Sequence, residues 1–310
     1  MGHSIFRTRS TFARMTIRHI LQLIRVEHWV KNLFVFIPAF FAARLTEWPV
    51  FRSALAGFFS FSLIASAVYV LNDLVDAPQD RNHPDKRWRP IASGKIGKRQ
   101  AIAILVVLFS AGALLGAVLS RDMLIFCLLY FTINVFYSFS LKHIALVDIN
   151  LIGVGFLLRV FAGGAVTGVE VSHWLIVLTF LLALILGLAK RRREYVVATG
   201  GHTFRKALDG YNLPFLDVSI TVCSTVAVVA YLMYCFSPEV TLRIGSDKIF
   251  YTAFFVILGI LRYLQLTLVF NKTESPTRAL LHDVFLQIVL LGWVGAFAWL
   301  LYARKWFGFY

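Results

Sequence analysis

From about residue 29 onward the chain is a succession of strongly apolar runs, most of them near 20 residues long, separated by short charged stretches. A helix of about 20 residues spans the roughly 30 Å hydrocarbon core of a bilayer. Nine such spans are expected, at about 29–46, 53–72, 100–120, 122–140, 146–168, 173–190, 216–237, 249–270 and 280–303. Charged residues make up 15% of the chain, well below the roughly 25% of a soluble domain. The expected fold is all-α, a polytopic membrane bundle in which residues 1–310 form a single transmembrane domain.

Alternating the spans places most Lys and Arg on the side that holds the amino terminus, including Arg25, Lys31, Arg81 to Arg99, Lys142 and Lys190 to Arg193. Basic connections stay in the cytoplasm, so the amino terminus is expected inside and the carboxyl terminus outside. Residues 12 to 31 read as an interfacial helix leading into the first span, with no cleavable leader ahead of it. The net charge of +15 is spread over membrane-adjacent loops, which argues against nucleic acid and for anionic headgroups and phosphorylated substrates. Cys127, Cys223 and Cys235 lie in apolar spans without paired spacing and read as small core residues.

One apolar run ends in Asn72-Asp73-Leu74-Val75-Asp76-Ala77-Pro78-Gln79-Asp80. On a helix, offsets of three and seven residues put Asp73, Asp76 and Asp80 on one face, where they repel unless a cation sits between them. Mg2+ prefers such oxygen ligands together with substrate phosphates, so the three are candidate metal ligands and the site a metal-diphosphate site. Pro78 tends to end a helix, which leaves Asp80 expected on a loop.

Further charge gathers near the same membrane face. Lys86, Arg87 and Arg89 follow the acidic run and are candidate phosphate ligands, whereas Lys95, Lys98 and Arg99 read as a solvated basic loop. Tyr137 and Lys142 precede Asp148, and Arg159 lies eleven residues further on, about three helical turns, on the same face. Arg159 lines a polar cavity on one reading and snorkels or pairs for structure on the other. In Lys190-Arg191-Arg192-Arg193-Glu194, helical offsets group Lys190, Arg191 and Glu194, leaving Arg192 and Arg193 as headgroup anchors. Arg25, Lys31, Asn32 and Arg262 are open between substrate contact and a structural role.

With these residues the chain resembles the UbiA superfamily of intramembrane prenyltransferases, whose first acidic motif, Asn-Asp-x-x-Asp-x-x-x-Asp, is matched by residues 72–80. The resemblance implies nine transmembrane helices around a cavity, cytosolic cap loops, and Mg2+ held against a diphosphate. Within the superfamily the chain is most similar to decaprenyl-phosphate phosphoribosyltransferases, through Trp29 to Asn32, His83 to Gly94, Tyr137 to Lys142, Leu158-Arg159, Lys190 to Glu194 and Leu261 to Tyr263. Relatives that act on aromatic acceptors commonly carry a second Asp-rich motif where this chain has Lys190 to Glu194. The phosphoribosyltransferase pattern often has Tyr-Ala at the positions of Arg192-Arg193.

The resemblance therefore implies transfer of 5-phosphoribosyl from phosphoribosyl diphosphate to polyprenyl phosphate, on the cytoplasmic face of a bacterial inner membrane, for a lipid-linked pentose donor of the cell envelope. Asp73, Asp76, Tyr137, Lys142 and Asp148 take the catalytic roles in this reading. Lys31, Asn32, Asn72, Lys86, Arg87, Arg89, Arg159, Lys190, Arg191, Glu194 and Arg262 bind substrate. A homo-oligomer stays open. The alternatives are prenyl transfer to an aromatic acceptor, against which the missing second acidic motif argues, and a non-enzymatic anion or lipid transporter, which an internal repeat would favour.

Overall fold

The computed structural model describes residues 16–83, 85–198, 206–271 and 282–307, and the expected inward charges Arg7, Arg9, Arg14, Arg205, Lys272 and Arg278 lie outside them. Every element among the described residues is helical. A short amphipathic helix, α1 (Ile17–Ile24), ends at Arg25 and is followed by a 3-10 helix (Val26–Phe36) that runs into α2 (Ile37–Phe41). The long helices are α3 (Trp48–Asp80), α4 (Lys98–Leu119), α5 (Arg121–Phe139), α6 (Val147–Thr167), α7 (His173–Ala198) and α8 (Leu213–Phe236). After α9 (Pro238–Ile244) come α10 (Ala253–Leu264), a π-helical turn (Gln265–Val269) and α11 (Val284–Phe307).

Eight helical segments among the described residues are long and apolar enough to cross a membrane. The expected first span is built differently. Its eleven-residue 3-10 helix is unusual, since 3-10 runs beyond three or four residues are uncommon. The reason is visible in its contacts: three residues per turn stack Trp29, Asn32 and Val35 on one line. Trp29 Nε1 donates to Ser66 Oγ at 3.0 Å, Asn32 Nδ2 to Ser62 Oγ at 2.8 Å, and Val35 is sealed in the core. Gly163 of α6 allows this approach, because a Cβ there would meet the Val35 carbonyl oxygen at 2.1 Å. The interfacial helix expected over 12–31 is confined among the described residues to α1, because Arg25 turns the chain with a left-handed backbone (φ 51°, ψ 55°).

The acidic run also departs from expectation. α3 continues through Pro78 to Asp80, so Asp80 is helical. Pro78 removes only its own amide bond two residues from the helix end, and the chain closes through Arg81 N–H to Ala77 C=O and His83 N–H to Asp80 C=O. Likewise α7 extends to Ala198, so Lys190 to Glu194 belong to a helix and not to a loop.

Four apolar clusters hold the described bundle together, and two of them share α6. One joins α3, α5 and α6 through Phe61, Ile64, Cys127 and Leu158; the other joins α6, α7 and α8 through Ile149, Ile185, Leu188, Leu216 and Ile220. Outward faces carry apolar side chains such as Leu114 and Val118, exposed to lipid and not to water. The consequence for function is that the ends of α3, α5 and α7 and the starts of α6 and α8 meet at one end of the bundle.

Candidate active site

The acidic face of α3 lies at this end. Asp73 is 2% exposed and accepts from Arg25 Nη2 at 2.5 Å, while Arg89 Nη1 lies 3.3 Å from Asp73 Oδ1 and 2.7 Å from Asp80 Oδ2. Asp76 is held apart from that pair. Lys142 Nζ donates to its Oδ1 at 2.5 Å and Asn72 Nδ2 to its Oδ2 at 3.1 Å.

The three carboxylates expected to share a metal are thus divided between two groups of cations. Among the described residues no three acidic, His or Cys side chains gather as a ready metal site. Asp73 and Asp80 nonetheless converge on a single nitrogen of Arg89. Two carboxylate oxygens aimed at one cationic point are a donor set that fits a hard divalent ion, with the guanidinium standing where that ion would sit. Arg25 guanidinium also covers the Tyr69 ring at 5.1 Å.

Beside the acidic face, Asp148 opens α6 and is wholly buried. Arg191 Nε donates to its Oδ2 at 2.5 Å, and Arg191 Nη1 also donates to Glu194. Tyr211 Oη donates to Asp148 Oδ1 at 2.8 Å and accepts from the Leu146 amide at 2.7 Å. Burial and the Asp148 bond push the Tyr211 hydroxyl well above its ordinary pKa, although the Leu146 amide pulls the other way, so it stays a neutral donor. That amide contact holds Leu146 at φ 65°, a strained conformation for a branched side chain, at the head of α6. Arg191 and Asp148 are therefore saturated by each other and their neighbours. Tyr137 lies within electrostatic reach of Arg191. Lys190 is more accessible, with its Nζ 3.9 Å from Glu194.

Arg192 is corrected from headgroup anchor to internal tie. It is 8% exposed, and donates to Asp217 at 2.5 Å, to the Thr267 carbonyl at 2.9 Å and to Asn271 at 2.5 Å, joining α7 and α8 to the end of the π-turn. Lys86 and Arg87 are exposed on a 3-10 turn, with Arg87 over the Trp88 ring at 4.8 Å. Arg262 pairs with Asp283 at 2.7 Å and faces Phe270 and Phe285, so its partners come from the last two spans and not from the acidic face.

Deeper in the bundle, Arg159 is 4% exposed and joins the first segment to α5 and α6. Its Nε donates to Asn32 Oδ1 at 2.7 Å, Nη1 to the Gly155 carbonyl at 2.7 Å and Nη2 to Tyr130 Oη at 3.1 Å. Arg25, Tyr130, Tyr211 and Asp217 complete these networks. No local spacing identifies them, because their partners lie 48, 29, 63 and 25 residues away.

The chain is similar to known proteins. The decaprenyl-phosphate phosphoribosyltransferase of Mycolicibacterium smegmatis is 30% identical over 288 residues, covering 89% of this chain and 90% of its own. That of Corynebacterium glutamicum is 29% identical over 283 residues, covering 89% and 84%. A UbiA homolog from Archaeoglobus fulgidus, solved bound to DMAPP and Mg2+, has the same fold, with a TM-score of 0.69 at 17% identity over 91% of this chain and 99% of its own. The model of the UbiA prenyltransferase family matches residues 32–289, spanning the acidic face, the Asp148–Arg191 pair and Arg159; the chain belongs to that family.

Proposed function

We propose that this chain transfers 5-phosphoribosyl from phosphoribosyl diphosphate to a polyprenyl phosphate, with release of diphosphate, on the cytoplasmic side of a bacterial inner membrane. The observation that carries the reading is the mixed charge of the site: a convergent carboxylate pair on α3 faces a connection rich in cations, and the end of α7 is basic where a second acidic motif would serve a second metal. The similarity to the phosphoribosyltransferases supports the same choice.

In this mechanism Asp73 and Asp80 would hold Mg2+, and Asp76, if freed from Lys142, would add a third carboxylate. The chemistry Mg2+ would supply there is neutralisation of the diphosphate charge, which would make it a better leaving group. Arg25, Arg89 and Lys142, released from the carboxylates, move to diphosphate oxygens, and Asn72 orients Asp76. Lys86, Arg87 and Lys190 approach the phosphates from the cytoplasm. The bond between the ribose anomeric carbon and diphosphate breaks with its electron pair leaving on oxygen, and a new bond forms to an oxygen of the lipid phosphate. That oxygen is already anionic, so no proton has to be removed.

Alignment and charge stabilisation then dominate the rate enhancement. Asp148, Arg191 and Glu194 position the α6 and α7 ends, and Tyr137 orients the ribose. Arg262 ties the last two spans together as a positioning residue. The amino terminus lies inside, and the first 3-10 segment with α2 counts as a ninth span.

The test incubates purified protein with labelled phosphoribosyl diphosphate, Mg2+ and polyprenyl phosphate. Label is expected in the lipid extract, and is expected to vanish with EDTA or with Asp73→Ala. No labelled lipid, or product indifferent to Asp73→Ala, would overturn the proposal.

A further inference from the structure

Within the bundle, positive charge exceeds negative around the first segment. The buried cations Lys142, Arg191 and Arg192 each hold a carboxylate. Arg159, equally buried, holds none among the described residues: its polar partners Asn32, Gly155 carbonyl and Tyr130 are neutral, and the rings of Phe61, Tyr130 and Phe156 surround it at 4.9, 4.7 and 5.4 Å. Lys31 adds a second uncompensated charge. It has no hydrogen bond or ion pair among the described residues, and it lies within electrostatic reach of Arg159 and Arg25.

One 3-10 turn before Lys31 stands His28, and residues three apart eclipse in such a helix. Its Nδ1 is buried without a hydrogen-bond partner, and Lys31, Arg25 and Lys190 lie within electrostatic reach. Its acidic neighbour, Glu27, is 3.9 Å from the other ring nitrogen and points to the exterior, 80% exposed. Buried charge without a counter-ion is expensive, above all inside a membrane. Three donors of Lys31 and one ring nitrogen of His28 remain to meet an anion, whereas the donors of Arg159 are largely engaged.

We propose that Lys31 and His28 bind a phosphate monoester directly and without metal, in the field of Arg159, at a position separate from the carboxylate pair on α3. A dianionic monoester matches the two uncompensated charges, and the absence of a carboxylate partner leaves nothing for a bridging metal to hold. This rests on the proposed transfer, whose substrates carry that group twice, as the lipid acceptor phosphate and as the 5-phosphate of the donor ribose.

The experiment measures scintillation-proximity binding of tritiated geranyl phosphate and of tritiated ribose 5-phosphate to the full chain in EDTA. At least one ligand is expected to bind. Lys31→Met is expected to weaken it about tenfold or more, the worth of a charge-assisted hydrogen bond. His28→Leu weakens it in the same direction, Lys31→Arg restores most of it, and Lys98→Met, at the exposed start of α4, leaves it unchanged. Loss for geranyl phosphate alone assigns the subsite to the lipid, and loss for ribose 5-phosphate alone assigns it to the donor. If Lys31→Met does not fold, the contrast between His28→Leu and Lys31→Arg decides.

Unchanged affinity for both ligands in folded variants would overturn the subsite. So would binding that requires Mg2+, or no binding of either ligand in EDTA by protein that still makes labelled lipid; the transfer reading would survive all three. No labelled lipid under complete conditions would instead remove the transfer reading itself.

Discussion

The buried pair between Asp148 and Arg191 separates two roles for the basic end of α7, as internal scaffold and as phosphate clamp. Asp148 is 0% and Arg191 1% exposed, and the 2.5 Å contact between them crosses from α6 to α7. Arg191→Leu leaves the buried Asp148 carboxylate without its counter-ion, and Asp148→Leu leaves buried Arg191 with only the partly exposed Glu194; breaking such a pair costs about 3–5 kcal/mol. Asp148→Leu also takes the acceptor from the Tyr211 hydroxyl. At about 2 °C per kcal/mol, suited to a chain of this length, each of Asp148→Leu and Arg191→Leu should lower the unfolding midpoint by about 6–10 °C.

The double variant should lose clearly less than the sum. Glu194 is 30% exposed and keeps Lys190, so it is not stranded, and the acceptor lost to the Tyr211 hydroxyl is already counted in Asp148→Leu. Two apolar side chains in place of a buried ion pair are often close to neutral. Cys127 and Cys235 provide the readout, because they are buried and free in the folded chain and react with a fluorogenic maleimide on unfolding. Additive losses would refute the coupling. Unchanged midpoints with about tenfold weaker phosphoribosyl diphosphate binding would refute the scaffold role and make Arg191 a phosphate ligand.

Other substitutions probe other parts of the molecule. Gly163→Ala should be among the most damaging single-methyl changes, above about 3 kcal/mol by overpacking, because its Cβ would lie 2.1 Å from the Val35 carbonyl oxygen; Gly295→Ala, with nothing within 4 Å, should leave the midpoint within about 0.5 kcal/mol. Arg192→Ala leaves the Thr267 carbonyl and Asn271 without their donor, while the 40% exposed Asp217 turns to solvent, and should cost about 1–3 kcal/mol, against little for Arg193→Ala, as read by thermal unfolding. Arg89→Ala removes the cation between Asp73 and Asp80, so Mn2+ measured by electron paramagnetic resonance should bind roughly tenfold more tightly without diphosphate while labelled-lipid formation falls; equal or weaker Mn2+ binding would contradict that geometry.

The chain's own order of residues settles the class of fold and the end of the bundle where its charges gather. A segment long and apolar enough must satisfy its backbone internally once in lipid, so α4, α5, α6 and α8 are legible within a few residues, while α3 and α7 run on past the expected ends of their spans at 72 and 190. Carboxylates at helical offsets share a face wherever the helix sits, which is why the face of Asp73 and Asp80 is legible too. Local signals failed where a tertiary partner overrode them: at Pro78, where the helix runs on, and at the first span, where Ser62, Ser66 and Gly163 draw Trp29, Asn32 and Val35 into one line. Which cation meets which carboxylate was decided only by packing. Lys142 meets Asp76 across 66 residues, Arg191 meets Asp148 across 43, and Arg159 is left without a carboxylate beside Lys31. Sequence spacing records the kinds of charge present, but Coulomb energy and desolvation depend on distance in space, which only the folded bundle sets.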